Sequence, residues 1–244
     1  MRSVLVTGGS RGVGLGVARQ LAADGFQVVA LARRSSEALG AAMEEAAAAR
    51  AGSLAFEAFD LAAIEAIPAM ARRLKATYGP FYGLVNNAGL GTEGLLANMH
   101  ASQIEALVRL NTTAPIVLTK HVVRSMMTAG EGRIVNMASI IATTGYSGLS
   151  VYGATKASMI GFTKSLAREV GRLGITVNAI APGFIDTELT AGLGEDGREQ
   201  VVRRSALRRL VEVEDVARLA AFLMGEGGRN ITGAVMTVDA GNTA

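Results

Sequence analysis

Ser3-Val4-Leu5-Val6-Thr7-Gly8-Gly9-Ser10-Arg11-Gly12-Val13-Gly14 is the stretch that decides the fold: a short apolar run passes directly into a glycine turn. An amphipathic segment to about Asp24 follows, and then a second apolar run, Phe26-Gln27-Val28-Val29-Ala30-Leu31-Ala32. Strand, glycine turn, helix and strand in that order make a βαβ unit. The glycines let the backbone come close to a pyrophosphate, which free amide groups and the positive end of the helix dipole then hold. A glycine-rich turn alone is a weak signal, but between a strand and a helix it has the context a dinucleotide site needs. Gly8, Ser10, Arg11, Gly12, Val13 and Gly14 are therefore candidate cofactor-binding residues.

The second strand ends in Arg33-Arg34, where a fold selective for NAD places an acid on the ribose hydroxyls. An acid there repels a 2′-phosphate, whereas arginine offers phosphate oxygens a planar fork of donors. Arg11 is placed to join the pair, and the expected cofactor is NADPH.

Working outward, the alternation continues. An alanine-rich helix over about 36 to 50 owes its pattern to helix propensity alone. A third strand over 53 to 59 ends at Asp60-Leu61, a helix over 62 to 78 follows, and a fourth strand covers 82 to 86. Asn87-Ala88-Gly89 extends it with small residues against which a flat ring can lie. Helices spanning about 102 to 129 contain Asn111, a polar side chain among Leu107, Leu110 and Ile116 that needs a hydrogen-bonding role.

Residues 132 to 138 read as a buried parallel strand delivering the Ser139 hydroxyl to the carboxyl edge of the sheet, where open α/β sheets bind ligands. Ser150-Val151-Tyr152-Gly153-Ala154-Thr155-Lys156 then opens a long amphipathic segment to about Arg172. On a helix Tyr152 and Lys156 share one face. Bringing a phenol from pH ~10 toward neutrality needs about 4 kcal/mol. An ammonium about 4 Å away supplies roughly 1 kcal/mol in water and about 4 at an effective dielectric of ~20, so the pair can act only in a half-shielded cleft.

Composition bounds the alternatives. At 244 residues, half of them hydrophobic, the chain can bury one large core, and 1 to 244 is expected to be a single domain. A formal net charge of +3 without an aromatic-studded basic stripe argues against nucleic acid. There is no cysteine, and His100 and His121 lack spaced metal ligands, so no metal is expected. No apolar run approaches a membrane span and no leader precedes Ser3, so the expectation is a soluble, cytoplasmic protein. Residues 190 to 197, rich in Gly, Asp and Glu, read as a substrate-covering loop. Arg203, Arg204, Arg208 and Arg209 read as a solvated helix face in preference to the alternative, an anion site, and are followed by a helix over 213 to 224 and a last strand over 234 to 238.

Thr7-Gly8-Gly9-Ser10-Arg11-Gly12-Val13-Gly14, Asp60, Asn86-Asn87-Ala88-Gly89, Asn111, Ser139, Tyr152 with Lys156, and Pro182-Gly183 followed by Thr187 together resemble the classical short-chain dehydrogenase/reductases. Residues 161 to 169 and 177 to 185 bring the resemblance closest to the 3-oxoacyl-[acyl-carrier-protein] reductases. The resemblance implies an α/β single-domain Rossmann fold: a doubly wound, seven-stranded parallel sheet with helices on both faces, assembled as a homotetramer. It implies Tyr152 as proton donor, Ser139 holding the substrate oxygen, Lys156 lowering the phenol's pKa while binding the nicotinamide ribose, and Asn111 positioning a water. It further implies adenine contact at Asp60 and Leu61, adenosine ribose near Asn87, Ala88 and Gly89, and carboxamide contact through Pro182, Gly183, Ile185 and Thr187. The implied substrate is a 3-oxoacyl thioester on acyl carrier protein or CoA, in fatty acid biosynthesis.

An acidic carrier calls for basic residues beside the cleft mouth; the resemblance places them just before the fifth strand, where Thr128-Ala129-Gly130-Glu131 carries none, and near the end of the catalytic helix, where Arg168 and Arg172 stand. Asp239-Ala240-Gly241 departs from relatives that carry two glycines there. The competing readings are a reductase of another small carbonyl compound, which the same residues would serve, and a non-catalytic nucleotide sensor, which an intact Ser139, Tyr152 and Lys156 argue against.

Overall fold

The computed structural model describes residues 1–91, 94–185 and 194–244. Its strands are β1 (Ser3–Thr7), β2 (Gln27–Ala32), β3 (Ser53–Ala58), β4 (Phe81–Asn86), β5 (Gly132–Met137), β6 (Ile175–Pro182) and β7 (Val235–Val238). They form one sheet of seven strands in the order β3-β2-β1-β4-β5-β6-β7, every pairing parallel. The order reverses between β1 and β4, which leaves a crevice at their carboxyl ends. β1, β4 and β5 are buried along their whole length, which is why they read as continuous apolar runs rather than alternating ones.

Helices α1 (Gly12–Ala23), α2 (Glu37–Ala49) and α9 (Val213–Met224) cover one face, in a core that includes Val4, Leu21, Leu39, Val85 and Met224. Helices α3 (Ile67–Tyr78), α5 (Ala114–Ala129) and α7 (Ser150–Val170) cover the other, around Leu5, Leu74, Leu84, Leu118 and Ile134. Both faces are therefore sealed, and ligands are left the strand ends.

Local chemistry sets several boundaries. Ser36 caps α2, its hydroxyl accepting from Leu39 N at 3.1 Å and donating to the Ser10 carbonyl at 2.5 Å, which ties the glycine turn to the end of β2. α3 begins at Ile67, later than the expected 62, because Pro68 suits a first helical turn and not an interior.

The helices expected over 102 to 129 are joined through an irregular turn. α4 (Ala101–Val108) passes through a π-helical turn, Arg109–Thr113, into α5. Pro115 is the physical cause: it has no N–H for the carbonyl of residue 111, and its ring would press on that carbonyl in a regular helix. The wider turn swings Asn111 inward, where it is 2% exposed. Such π turns gather at functional sites.

Two departures lie near the chain's end. Of the expected loop over 190 to 197, residues 190 to 193 are outside the described residues, and Gly194 begins a helix, α8 (Gly194–Arg204). Glu195 and Asp196 in its first turn and Arg203 and Arg204 in its last match the helix dipole. Ala240 has φ +54°, a left-handed conformation that glycine would hold without strain and that costs an alanine about 1 kcal/mol. Among the described residues no helix is long and apolar enough to cross a membrane.

Candidate active site

The crevice begins at the glycine turn. Gly8 has φ +66° and Gly12 φ +52°, and a Cβ on Gly8 would lie 2.8 Å from the Asn87 amide nitrogen and 3.0 Å from Ala88 Cα. A Cβ on Gly14 would overlap the Gly8 carbonyl and the same amide. The glycines are thus required by contact with the end of β4. Asn87 Nδ2 donates to the Thr7 carbonyl at 2.9 Å and to the Gly8 carbonyl at 3.4 Å, so its side chain braces the glycine turn.

Thr7, which opens the glycine motif in the sequence without a role of its own, completes this joint. Its hydroxyl accepts from Asn87 N at 2.9 Å and Ala88 N at 3.0 Å and donates to the Val85 carbonyl at 3.2 Å. As β4 leaves the sheet its N–H groups need acceptors. A threonine closing the neighbouring strand was the available signal.

Val13, Asn87, Gly89, Leu90, Met137, Ala138, Ser139, Tyr152, Lys156, Pro182, Gly183 and Ile185 line one continuous cleft. Counted to its open mouth, solvent included, it encloses about 630 Å³. The strand ends of β4, β5 and β6 supply one wall and the first turns of α7 the other. Arg33, Arg34, Asp60 and Leu61 stand farther along the same sheet edge, after β2 and β3, outside this cleft's walls. Arg33 and Arg34 are exposed and have no acidic partner among the described residues. Asp60 is exposed, with one oxygen accepting from Ala62 N at 2.9 Å. Thr187 lies outside the described residues.

Lys156 is only 7% exposed, and its ammonium donates to the Met137 carbonyl at 2.9 Å. Burial lowers its pKa to about 8. Tyr152 shows the opposite direction to the one expected from a neighbouring lysine. Burial raises the phenol above its ordinary value, and a hydrogen bond with the Ser139 hydroxyl pulls it partly back. Lys156 Nζ sits over the Tyr152 ring, 5.7 Å from its centre. The phenol is therefore fully protonated at neutral pH, the form a proton donor needs.

Asn111 is held by the chain it faces. Its Oδ1 accepts from Leu90 N and its Nδ2 donates to the Leu90 carbonyl, both at 2.8 Å, with a further bond from Nδ2 to Thr155 Oγ1 at 3.1 Å. A Cβ on Gly89 would come within 3.2 Å of Asn111 Oδ1 and 3.6 Å of Lys156 Nζ. Gly89 thus separates the two polar groups, and one lone pair of Oδ1 remains on the Lys156 side.

Behind the cleft, a buried polar ladder crosses the sheet. Asn86 Nδ2 donates to Thr119 Oγ1 at 2.9 Å and Asn136 Oδ1 at 2.8 Å, and Asn136 Nδ2 donates to Thr163 Oγ1 at 2.8 Å. It ties α5, β4, β5 and α7 together just below Ser139, fixing the helix that carries Tyr152 against the strand that carries the serine.

The residues present fit a dinucleotide: a helix N-terminus with glycine backbone, a cleft running from it to two hydroxyls and an ammonium, and unpaired arginines beyond β2. Among the described residues no cluster of acidic or histidine side chains could hold a metal ion.

Comparison with known proteins agrees with this geometry. The 3-oxoacyl-[acyl-carrier-protein] reductase FabG of Escherichia coli (strain K12) is 38% identical over 237 residues, covering 97% of this chain and 95% of that one. A gluconate 5-dehydrogenase from Burkholderia cenocepacia J2315, solved in complex with NADP and tartrate, superposes with a TM-score of 0.92 at 28% identity, over 99% of this chain and 95% of that one. A blue fluorescent protein from a metagenomic library, solved with NADPH, gives a TM-score of 0.90 at 33% identity, over 100% and 98% of the two chains. The sequence pattern of the short chain dehydrogenases matches residues 2–198, and with the sheet order and the cleft it places this chain in the short-chain dehydrogenase family.

Proposed function

We propose that this chain reduces the 3-oxo group of an acyl thioester to a secondary alcohol, with NADPH as the electron source. It is an NADP-dependent oxidoreductase of the short-chain dehydrogenase family. The observation that carries the reading is the single cleft that joins Val13, in the first turn of α1, to Ser139, Tyr152 and Lys156.

The bound cofactor supplies a hydride to the carbonyl carbon. The Tyr152 phenol gives its proton to the carbonyl oxygen, which the Ser139 hydroxyl holds in place. The negative charge then left on the phenol is stabilised by the Lys156 ammonium, worth about 3 kcal/mol at ~6 Å and an effective dielectric of ~20. Lys156 also faces the ribose side of the cleft. Asn111 keeps the Leu90 wall at its distance from Lys156, and its spare lone pair suits a water on a proton path to solvent. Arg33 and Arg34, with Arg11, would take the 2′-phosphate; Asp60 and Leu61 the adenine; and the backbone at Pro182, Gly183 and Ile185, with Thr187, the carboxamide.

The 3-oxoacyl-[acyl-carrier-protein] reductases among the relatives support a thioester substrate; a place in fatty acid biosynthesis and a homotetramer complete the proposal. Support for an acyl carrier protein as the carrier is thinner. Arg133 is 7% exposed, over the Tyr82 ring at 5.6 Å, and cannot meet a partner. Arg109 donates to Glu65 at 3.0 Å and to the Ala62 carbonyl at 2.6 Å. Arg124, Arg168 and Arg172 remain.

The test is oxidation of NADPH on adding acetoacetyl-CoA, followed by nicotinamide absorbance. Turnover is expected, with kcat/KM rising by less than about tenfold, or ~1.4 kcal/mol, when the acyl group is carried on acyl carrier protein. A large, salt-sensitive preference for the carrier form would contradict that ratio, and no turnover of either form would move the chain to the reductases of other carbonyl compounds.

A further inference from the structure

A second hollow, of about 550 Å³ counted to its mouth, adjoins the cleft. The two are contiguous along the chain: Ser139 and Gly183 line the cleft, and the residues that follow them, Ile140, Ile141 and Phe184, line the hollow. Just past Ser139 the chain thus passes from the wall of the cleft to the wall of the hollow. One wall is aromatic, Tyr146 meeting Phe184 edge-on with ring centres 6.0 Å apart. The last turn of α8 also lines it and contributes Arg204.

Of the four arginines that read as one solvated face, the structure separates Arg204. Arg208 donates to the Arg203 carbonyl, and Arg209 lies 3.6 Å from Asp215. Arg203 is exposed and does not line the hollow. Arg204 lines it and has no acidic partner among the described residues.

The wall bearing Arg204 is fixed by the departure at Asp239-Ala240-Gly241. Asp239 Oδ2 accepts from Thr243 N at 2.8 Å and Thr243 Oγ1 at 2.6 Å, and Oδ1 accepts from Gly241 N at 2.9 Å. The turn so formed grips the end of α8: Ser205 Oγ donates to the Ala240 carbonyl at 2.8 Å and Asn242 Nδ2 to the Val201 carbonyl at 3.3 Å. An aspartate and a strained alanine thus fix the helix end whose Arg204 shares the lining of this hollow with the Tyr146–Phe184 pair.

We infer that this hollow is a substrate subsite that takes an anionic group, with Arg204 as its specificity-determining residue. The inference rests on the thioester-reductase reading above. The anion belongs to the part of the substrate beyond the reacting carbonyl: a phosphate of the carrier arm or a carboxylate at the far end of the acyl chain. A guanidinium recognises both in the same way, through paired N–H donors.

The test compares wild type with Arg204→Gln and Arg204→Lys on three substrates. These are 3-oxohexanoyl-N-acetylcysteamine, which is uncharged, the same thioester ending in a carboxylate, and 3-oxohexanoyl-CoA. Arg204→Gln is expected to lower kcat/KM about tenfold on one of the charged substrates, through KM, while leaving the uncharged thioester and NADPH affinity within twofold. Arg204→Lys should recover part of the loss. A loss confined to the CoA thioester assigns the phosphate, and a loss confined to the carboxylated thioester assigns the acyl end. Equal effects on all three, or none on any, with wild type active, would overturn the subsite and leave the reductase reading standing. Failure of wild type to turn over any of the three would remove that reading, and the subsite with it.

Discussion

Replacing Lys156 with methionine keeps an unbranched stem of similar length and removes the ammonium. With its pKa lowered to about 8 from 10.5 by burial, the charged lysine costs the folded state about 3 kcal/mol at neutral pH. Methionine abolishes that cost but strands the Met137 carbonyl, which accepts from Lys156 at 2.9 Å, and an orphaned buried acceptor costs about 1 to 3 kcal/mol. At pH 7 the variant should therefore match or exceed wild type in stability by up to about 2 kcal/mol, while losing most turnover. The pH dependence is the sharper signature. Between about pH 8 and 10.5 folded wild type has released the Lys156 proton and the unfolded chain has not, so wild-type stability rises with pH relative to the variant. The difference in unfolding free energy should shift by about 3 kcal/mol in favour of wild type across that window. Urea unfolding without nucleotide, at one protein concentration, measures it. Parallel pH curves for the two proteins, or a variant several kcal/mol less stable at pH 7, would show that Lys156 is not a buried charge held at a stability cost.

Two other substitutions probe the rest of the cleft. Arg33→Asp should weaken NADPH far more than NADH, because a charge-assisted bond of about 1.5 to 3 kcal/mol is exchanged for repulsion; an unchanged affinity ratio in fluorescence titration would free Arg33 of any part in reading the phosphate. Asn111→Ala strands both polar groups of Leu90 and should cost about 2 to 4 kcal/mol in urea unfolding, together with turnover; a loss under about 0.5 kcal/mol would mean that water replaces the amide without penalty.

The sheet and the order of elements were legible in the sequence because parallel strands sealed on both faces announce themselves as unbroken apolar runs, and Gly8, Gly12 and Gly14 mark the one place where the backbone must bend against β4. Ser139, Tyr152 and Lys156 could be placed in one cleft from a strand end and a helical spacing. Interactions between distant segments could not be read this way. Thr7 gained its place only once β4 lay beside β1, and Asn87 came to brace the glycine turn for the same reason. Pro115 held the signal for the π turn at Asn111, though it takes the geometry of the carbonyl four residues earlier to see it. The direction of the Tyr152 shift depended on how deeply the phenol is buried and on Lys156 choosing the Met137 carbonyl, neither of which has a trace in spacing. Arg204 differs from Arg203 only in the side of α8 it occupies, which the register of that helix on the C-terminal turn determines.

The central claim is that Tyr152 is the proton donor in a cleft shared with NADPH. Its most direct test is Tyr152→Phe in a steady-state assay with acetoacetyl-CoA, alongside titration of NADPH into the same protein. The phenol's hydroxyl touches Ser139 and lines the cleft without supporting the glycine turn, so NADPH affinity should stay within about twofold while kcat falls by roughly a hundred to ten thousand fold. Turnover equal to wild type, with NADPH bound as tightly, would contradict the claim.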